Sequence, residues 1–112
     1  MKAMISQPMN GLTDAQITAT RNKAIQYLES KGYKVVNSYF KDEFAEPPEN
    51  VNEGIYFLAK SLEKMSECTA VYFCRGARAA RGCRIERAVA EAYGLTCIDE
   101  PEERKYVPWE AD

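Results

Sequence analysis

Four short, mostly apolar runs alternate with three stretches of helical periodicity, and this alternation constrains the fold more than any other feature. The apolar runs cover residues 3–5, 33–36, 70–74 and 95–98. Runs without a polar residue at every second position are typical of strands that are buried on both faces of a parallel sheet. The order β-α-β-α-β-α-β therefore predicts an α/β fold, with helices on both faces of the sheet.

The predicted helices have recognisable ends. Thr13 and Gln16 match a capping box at the start of the first helix. The second helix is predicted to begin within residues 50–53. The third is predicted to run from Gly82 to Gly94, where a left-handed glycine is typical of a helix end.

Right-handed crossovers leave few possible topologies, and the strand order 2-1-3-4 fits best. The prediction is a Rossmann-like (flavodoxin-like) three-layer sandwich with a four-stranded parallel sheet. Residues 1–98 would form one domain, and residues 99–112 would form an acidic, partly packed tail. In such sheets ligands bind at the carboxyl ends of the strands beside the switch point. The loops in that crevice are residues 6–13 and 75–83.

Glu86 stands out within the third predicted helix. An apolar stripe at helical spacing is expected to face the core, and it consists of Ile85, Ala88, Val89 and Ala92. Glu86 lies at the border of that stripe, between the small residues Gly82 and Ala90. A first-turn position would favour the ionised carboxylate, and its loss would cost only about 0.3–1 kcal/mol of stability. The simpler alternative is a glutamate that only complements the helix dipole.

Polar and cationic residues occupy both loops of the predicted crevice. Hydroxyl and amide groups suited to ribose hydroxyls or base edges come from Ser6, Gln7 and Asn10. Gly11 permits close backbone approach or an unusual φ. The second loop and the helix start supply further candidate substrate ligands, namely Arg78, Arg81, Gly82 and Cys83. Arginine near a helix N-terminus suits a phosphate or carboxylate. Alternatively, the first loop is only a turn and a cap, and the arginines only solvate the second.

Composition excludes several classes of protein. The net charge of −2 gives no general electrostatic reason to bind nucleic acid or an anionic membrane. No apolar run reaches the length of a membrane span, and no long signal-peptide core is present, so a cytoplasmic protein is expected. Neither a P-loop nor a G-x-G-x-x-G motif occurs, which argues against a nucleoside triphosphatase or a dinucleotide-dependent oxidoreductase. No cofactor is expected.

The absence of histidine limits the chemistry further. Without it, Ser-His and Cys-His nucleophile pairs cannot form. The four cysteines contain no C-x-x-C pair, so no metal site is expected. Cys83 begins a helix among arginines and could have a lowered pKa, which is the basis of a minor, thiol-based alternative.

Two segments, residues 4–12 and 80–94, carry a family resemblance. The chain resembles a family of small phage and bacterial proteins of unassigned function, the domain of unknown function numbered 4406. That family is similar in turn to the nucleoside 2-deoxyribosyltransferase superfamily. The resemblance implies that Glu86 is a nucleophile that attacks the anomeric carbon, releases the base and forms a glycosyl ester. This is retaining glycoside chemistry. The partner would be a small nucleoside or nucleotide.

The chain also departs from the superfamily pattern. Superfamily enzymes commonly carry an aspartate before the glycine of the motif, where residues 79–81 read Ala-Ala-Arg. Asp42, Glu43 or Glu46 could replace that acid. Three functions therefore stay open. The first is an enzyme that cleaves or transfers an N-glycosidic bond, the second is a non-catalytic nucleotide-binding module, and the third is a thiol-based or partner-docking protein. The small domain, its aromatic tail and the superfamily's shared sites favour a homodimer or larger assembly.

Overall fold

The computed structural model describes residues 1–38 and 47–101. The elements are β1 (Lys2–Ser6), α1 (Asp14–Ser30), β2 (Lys34–Val35), α2 (Glu53–Met65), β3 (Ala70–Phe73), α3 (Arg81–Ala92) and β4 (Thr96–Asp99). They alternate as the apolar runs predict. Asp42, Glu43, Glu46 and the tail beyond residue 101 lie outside the described residues. Within the described ranges, no helix combines the length and apolar character that crossing a membrane requires.

The four strands form one parallel sheet in the order β2-β1-β3-β4, which confirms the predicted topology. β1 and β3 are the central neighbours, and Ser6 is in register with Phe73. Both strands therefore end at the same level. The loops that follow them leave the sheet side by side, at the point where the strand order reverses.

Alternate residues of the central strands pack against opposite layers, as a fully buried parallel sheet requires. Toward α1, the buried cluster includes Ala3, Ile5, Ala24, Leu28 and Tyr72. Toward α2 and α3, it includes Met4, Met65, Val71, Phe73 and Ala90. The three-layer architecture thus has α1 on one face of the sheet and the other two helices on the second face.

The predicted helix ends are confirmed. Thr13 and Gln16 form the capping box, with the Thr13 hydroxyl accepting from the Gln16 backbone N–H. Asn52 caps α2 by accepting from the backbone N–H of Ile55 at 3.0 Å. Gly94 follows α3 with a φ of 76°, in the left-handed region. α3 itself has no side-chain cap, because Ala80 occupies its N-cap position.

The predicted buried face of α3 is wrong. The residues that α3 buries are Cys83, Glu86 and Ala90. Ile85 is 40% exposed, Ala88 and Ala92 are exposed, and Val89 is half-buried. Helical spacing defines stripes along a helix but does not fix its rotation about its own axis. Here the small side chains of Cys83 and Ala90 lie against the sheet, and the bulkier stripe turns outward.

Candidate active site

Glu86 and Ser6 meet at the carboxyl end of β1. Ser6 is the last residue of that strand and is 1% exposed, while Glu86 lies in the second turn of α3 and is 8% exposed. The Ser6 hydroxyl Oγ donates a hydrogen bond to Glu86 Oε1 at 3.1 Å. The structure thus joins two candidate site residues at the switch point.

Burial controls the charge of Glu86. Desolvation raises the pKa of its carboxyl to about 7, and the hydrogen bond from Ser6 opposes that rise. The expected first-turn position is wrong, because α3 begins at Arg81 and has no acid in its first turn. The dipole effect fades beyond that turn, so desolvation dominates. At neutral pH, both the protonated and the ionised forms of Glu86 are populated.

Cys83 lines the same buried corner, one turn before Glu86. It is 4% exposed, and the Ser6 side chain partly opposes the rise that burial causes in the pKa of its thiol. Burial raises the pKa of the Cys83 thiol, so the expected lowering is wrong. Burial likewise raises the thiol pKa values of the other three cysteines, Cys68, Cys74 and Cys97. The thiol-based alternative therefore loses its basis.

Gln7 follows Ser6 and is 8% exposed. Its Nε2 donates to the backbone oxygen of Ile17 at 2.8 Å, which fixes the side chain against α1. Its Oε1 is buried and has no hydrogen-bond partner within the described part of the chain. An unsatisfied buried acceptor is costly, so this oxygen favours a donor group from a ligand.

The two crevice loops touch each other. A Cβ placed on Gly76 would lie 3.4 Å from Cγ of Pro8, and Gly76 has a φ of 87°. Further along the first loop, Asn10 and Gly11 are exposed. Gly11 has the unusual φ that the sequence predicts, 79°. A Cβ at Gly76 would only just touch Pro8, so it is the left-handed φ that favours glycine at this point, where the two loops pass close to each other.

The predicted arginine ligands lie toward the edges of this region. Arg78 is 76% exposed and lies 3.6 Å from Oδ2 of Asp99, at the end of β4. Arg81 is exposed, and its Nη2 lies 3.6 Å from the Cβ position of Gly54, at the start of α2. Gly82 is also exposed, with open space around its Cβ position. The structure thus gives each arginine a neighbour other than Glu86, and phosphate binding by these residues stays a prediction.

Arg87 is half-buried and connects α3 to β4. Its Nη1 and Nη2 donate to the two carboxylate oxygens of Asp99 at 2.7 and 3.2 Å. The guanidinium also lies 4.9 Å from the ring centre of Phe73. The one signal available in the sequence is the helical i, i+4 spacing to Glu91, which Arg87 also contacts at 3.0 Å. Asp99 gives no such signal, because its position depends on the sheet.

Among the described residues, no three Cys, Asp or Glu side chains come together as possible ligands of a metal ion. The acid–base groups that the structure does assemble are Glu86, Ser6 and Cys83.

Comparison with known proteins assigns a family but no activity. A family model described as "Domain of unknown function (DUF4406)" matches residues 1–99. The match covers all seven elements and both members of the Ser6–Glu86 pair. No curated protein and no solved structure matches the chain.

Proposed function

The chain belongs to the DUF4406 family of unknown function, and we propose that it cleaves or transfers the N-glycosidic bond of a nucleoside or nucleotide, with Glu86 as nucleophile. The observation that carries the proposal is the buried Glu86 carboxyl, hydrogen-bonded by Ser6 at the switch point of the sheet. The resemblance to the nucleoside 2-deoxyribosyltransferase superfamily supports the same role. Active-site carboxyls commonly have strongly shifted pKa values, as Glu86 has.

In the first step, the ionised Glu86 attacks the anomeric carbon of the sugar. Ser6 holds Oε1, so Oε2 is the oxygen free to form the new carbon–oxygen bond. The carbon–nitrogen bond breaks, its electron pair leaves with the base, and a proton neutralises that base. The product is a neutral ester between Glu86 and the sugar. The transition state resembles an oxocarbenium ion, which the adjacent carboxylate stabilises.

In the second step, water or a second base attacks the same carbon and returns the electron pair to the Glu86 carboxylate. Hydrolysis then gives the free sugar, and attack by a base gives a new nucleoside with retained configuration. The desolvation that raises the Glu86 pKa to about 7 also favours ester formation. An ionised carboxylate in this buried position is destabilised, and forming a neutral ester removes the buried charge.

Substrate recognition would use the polar groups around this pair. The unpartnered Gln7 Oε1 can accept from a sugar hydroxyl, while Arg78 and Arg81 would favour a 5′-phosphate. The proton for the leaving base would come from Asp42, Glu43 or Glu46, in place of the aspartate missing at residues 79–81. We further propose a cytoplasmic homo-oligomer that acts on small molecules rather than nucleic acid.

The alternative is a non-catalytic nucleotide-binding module of the same fold. Two observations favour it: the missing aspartate, and the substantial protonated fraction of Glu86 at neutral pH. A protonated carboxyl can donate a hydrogen bond to a base or sugar oxygen, as an ionised one cannot. Ligand affinity would then fall as the pH rises through about 7.

The test is base release from a panel of nucleosides and nucleoside 5′-monophosphates, followed by chromatography. Wild type should release base faster as the pH rises through about 7, because the nucleophile must be ionised. Glu86→Gln should reduce the rate by orders of magnitude. The matched control is Glu91→Gln, an exposed glutamate on the same helix. A 2-fluoro sugar substrate should leave an ester on Glu86 that mass spectrometry detects.

Equal, background-level release by wild type and Glu86→Gln across the whole panel would overturn the enzyme proposal. If the same panel shows binding that weakens with rising pH, the binding module takes its place.

A further inference from the structure

α3 presents an apolar surface to solvent. This surface, here named the outer face of α3, consists of Ile85, Ala88, Val89, Ala92 and Tyr93. Tyr93 is 81% exposed and Ile85 40% exposed. Together with Arg81 and Arg84 these residues line a shallow groove of about 500 Å³. Contiguous exposed apolar surface with a polar rim is typical of an interaction site.

The charges on α3 are arranged against its dipole. The first turn carries Arg81 and Arg84 and no acid, and the last turn carries no basic residue. Glu91 lies near the carboxyl end instead. Cations near a helix N-terminus and anions near its C-terminus are both unfavourable. Neither Arg81 nor Arg84 forms an ion pair within residues 1–38 and 47–101. The basic first turn thus has no ion-pair partner among the described residues, while Glu91 pairs with Arg87 of its own helix at 3.0 Å and keeps a 61% exposed side chain.

We propose that the outer face of α3 binds the same face of a second copy of this chain, with the two helices antiparallel about a twofold axis. A twofold interface is self-complementary, so each contact occurs twice. Antiparallel pairing brings the basic first turn of each helix to the acidic last turn of the other. The arrangement that is unfavourable in one chain therefore becomes favourable in the pair.

The sizes of the side chains fit this pairing. With the axis between positions 88 and 89, Ile85 lies opposite Ala92 of the second copy, and Val89 lies opposite Ala88 of the second copy. Each large side chain thus faces a small one, which allows close helix packing. Arg84 lies opposite Tyr93 of the second copy, within one turn of its Glu91. A guanidinium in that position can contact both the aromatic ring and the carboxylate.

A helix pair alone buries little surface, and the neighbouring end of α2 can enlarge the contact. Arg81 lies beside Gly54, and the next residue, Ile55, is 65% exposed. Charged and polar residues surround the apolar centre, as in non-obligate interfaces. We therefore expect a reversible dimer, whose population rises with protein concentration.

Sedimentation velocity over a range of concentrations tests the association. Wild type should shift from monomer to dimer as its concentration rises, and Ile85→Glu should abolish the shift. The matched control is Leu12→Glu, which introduces the same charge at a residue of similar exposure, 43%, in the β1–α1 loop. Circular dichroism on both variants verifies that they are folded. A wild type that stays monomeric throughout, or an Ile85→Glu protein that still dimerises, overturns the proposal.

A cysteine crosslink tests the geometry independently of affinity. Ala88 lies next to the axis, so Ala88→Cys should form a disulfide-linked dimer under mild oxidation, seen by non-reducing electrophoresis. The control is Lys23→Cys, at an exposed position on α1 and on the other side of the sheet. Equal crosslinking of the two variants would contradict the antiparallel arrangement.

Discussion

Ser6 Oγ lies 3.1 Å from Glu86 Oε1, although 80 positions separate the two residues in the chain. The contact exists because β1 and β3 are neighbours and α3 follows β3. It places a hydroxyl donor on one oxygen of a buried carboxyl and leaves the other oxygen for a ligand.

Glu86→Gln should stabilise the protein at high pH. The folded-state pKa is raised to about 7 from an ordinary value of 4.5, so the unfolded chain loses this proton first. Wild-type stability should therefore fall as the pH rises from about 4.5 to about 7 and then level off. Glutamine is neutral throughout and keeps an acceptor for Ser6. Urea unfolding should show the variant more stable by roughly 3 kcal/mol at about pH 8.

Near pH 4.5 the two proteins should differ much less, because folded Glu86 is then protonated. Glu63→Gln, at an α2 side chain that is 71% exposed, serves as the control and should show no comparable pH dependence. A variant that is less stable than wild type at high pH would contradict the argument.

Ser6→Ala should raise the pKa of Glu86 above about 7, because the Ser6 hydrogen bond favours the ionised carboxylate. One pKa unit corresponds to about 1.4 kcal/mol, so losing one such bond should move the titration midpoint upward by roughly one pH unit. A carbon-13 NMR titration of the Glu86 carboxyl measures it. Ser30→Ala, at the exposed end of α1, should leave the midpoint in place. A midpoint that stays or falls in Ser6→Ala would argue against the bond.

Arg87→Lys should destabilise the fold modestly, although it keeps the positive charge. Lysine cannot make both hydrogen bonds to Asp99, and it lacks the guanidinium that lies 4.9 Å from the ring centre of Phe73. Because Asp99 is about half exposed, solvent screens the pair, and the cost should be about 0.5–1.5 kcal/mol. Chemical denaturation measures it against Lys23→Ala, an exposed cation on α1. If Arg87→Lys lowers the free energy of unfolding by no more than Lys23→Ala does, the paired hydrogen bonds from Arg87 to Asp99 contribute nothing to stability.

The same Gly-to-Ala change should have opposite effects at the two ends of α3. Gly94 has a φ of 76°, which strains an alanine, so Gly94→Ala should cost about 1–2 kcal/mol. Gly82 has no such φ, and a Cβ there would meet open space, so Gly82→Ala should stabilise by about 0.4–1 kcal/mol. Thermal unfolding of both variants gives the comparison. If the melting temperatures of both variants shifted in the same direction, backbone conformation would not be what decides the effect of alanine on stability.

The local features of the chain were readable from its sequence. Apolar runs and helical spacing determine which segments become strands and helices, and Thr13, Gln16 and Gly94 mark helix ends through contacts or dihedral angles within a few residues. The parallel order follows because right-handed crossovers leave few ways to connect such elements. Ser6 was identifiable as a site candidate because it ends the central strand β1, and Glu86 because it lies in the helix that follows the central strand β3.

Only the tertiary structure decided how α3 is rotated and what surrounds its residues. Helical periodicity is unchanged by rotation about the axis, so it did not distinguish the stripe beginning at Ile85 from the buried face that contains Cys83 and Glu86. The charge of Glu86 depends on the water that packing removes and on Ser6. Arg87 contacts Asp99 because β3 and β4 are paired. Desolvation and long-range contacts are properties of the assembled layers, and no short stretch of sequence encodes them.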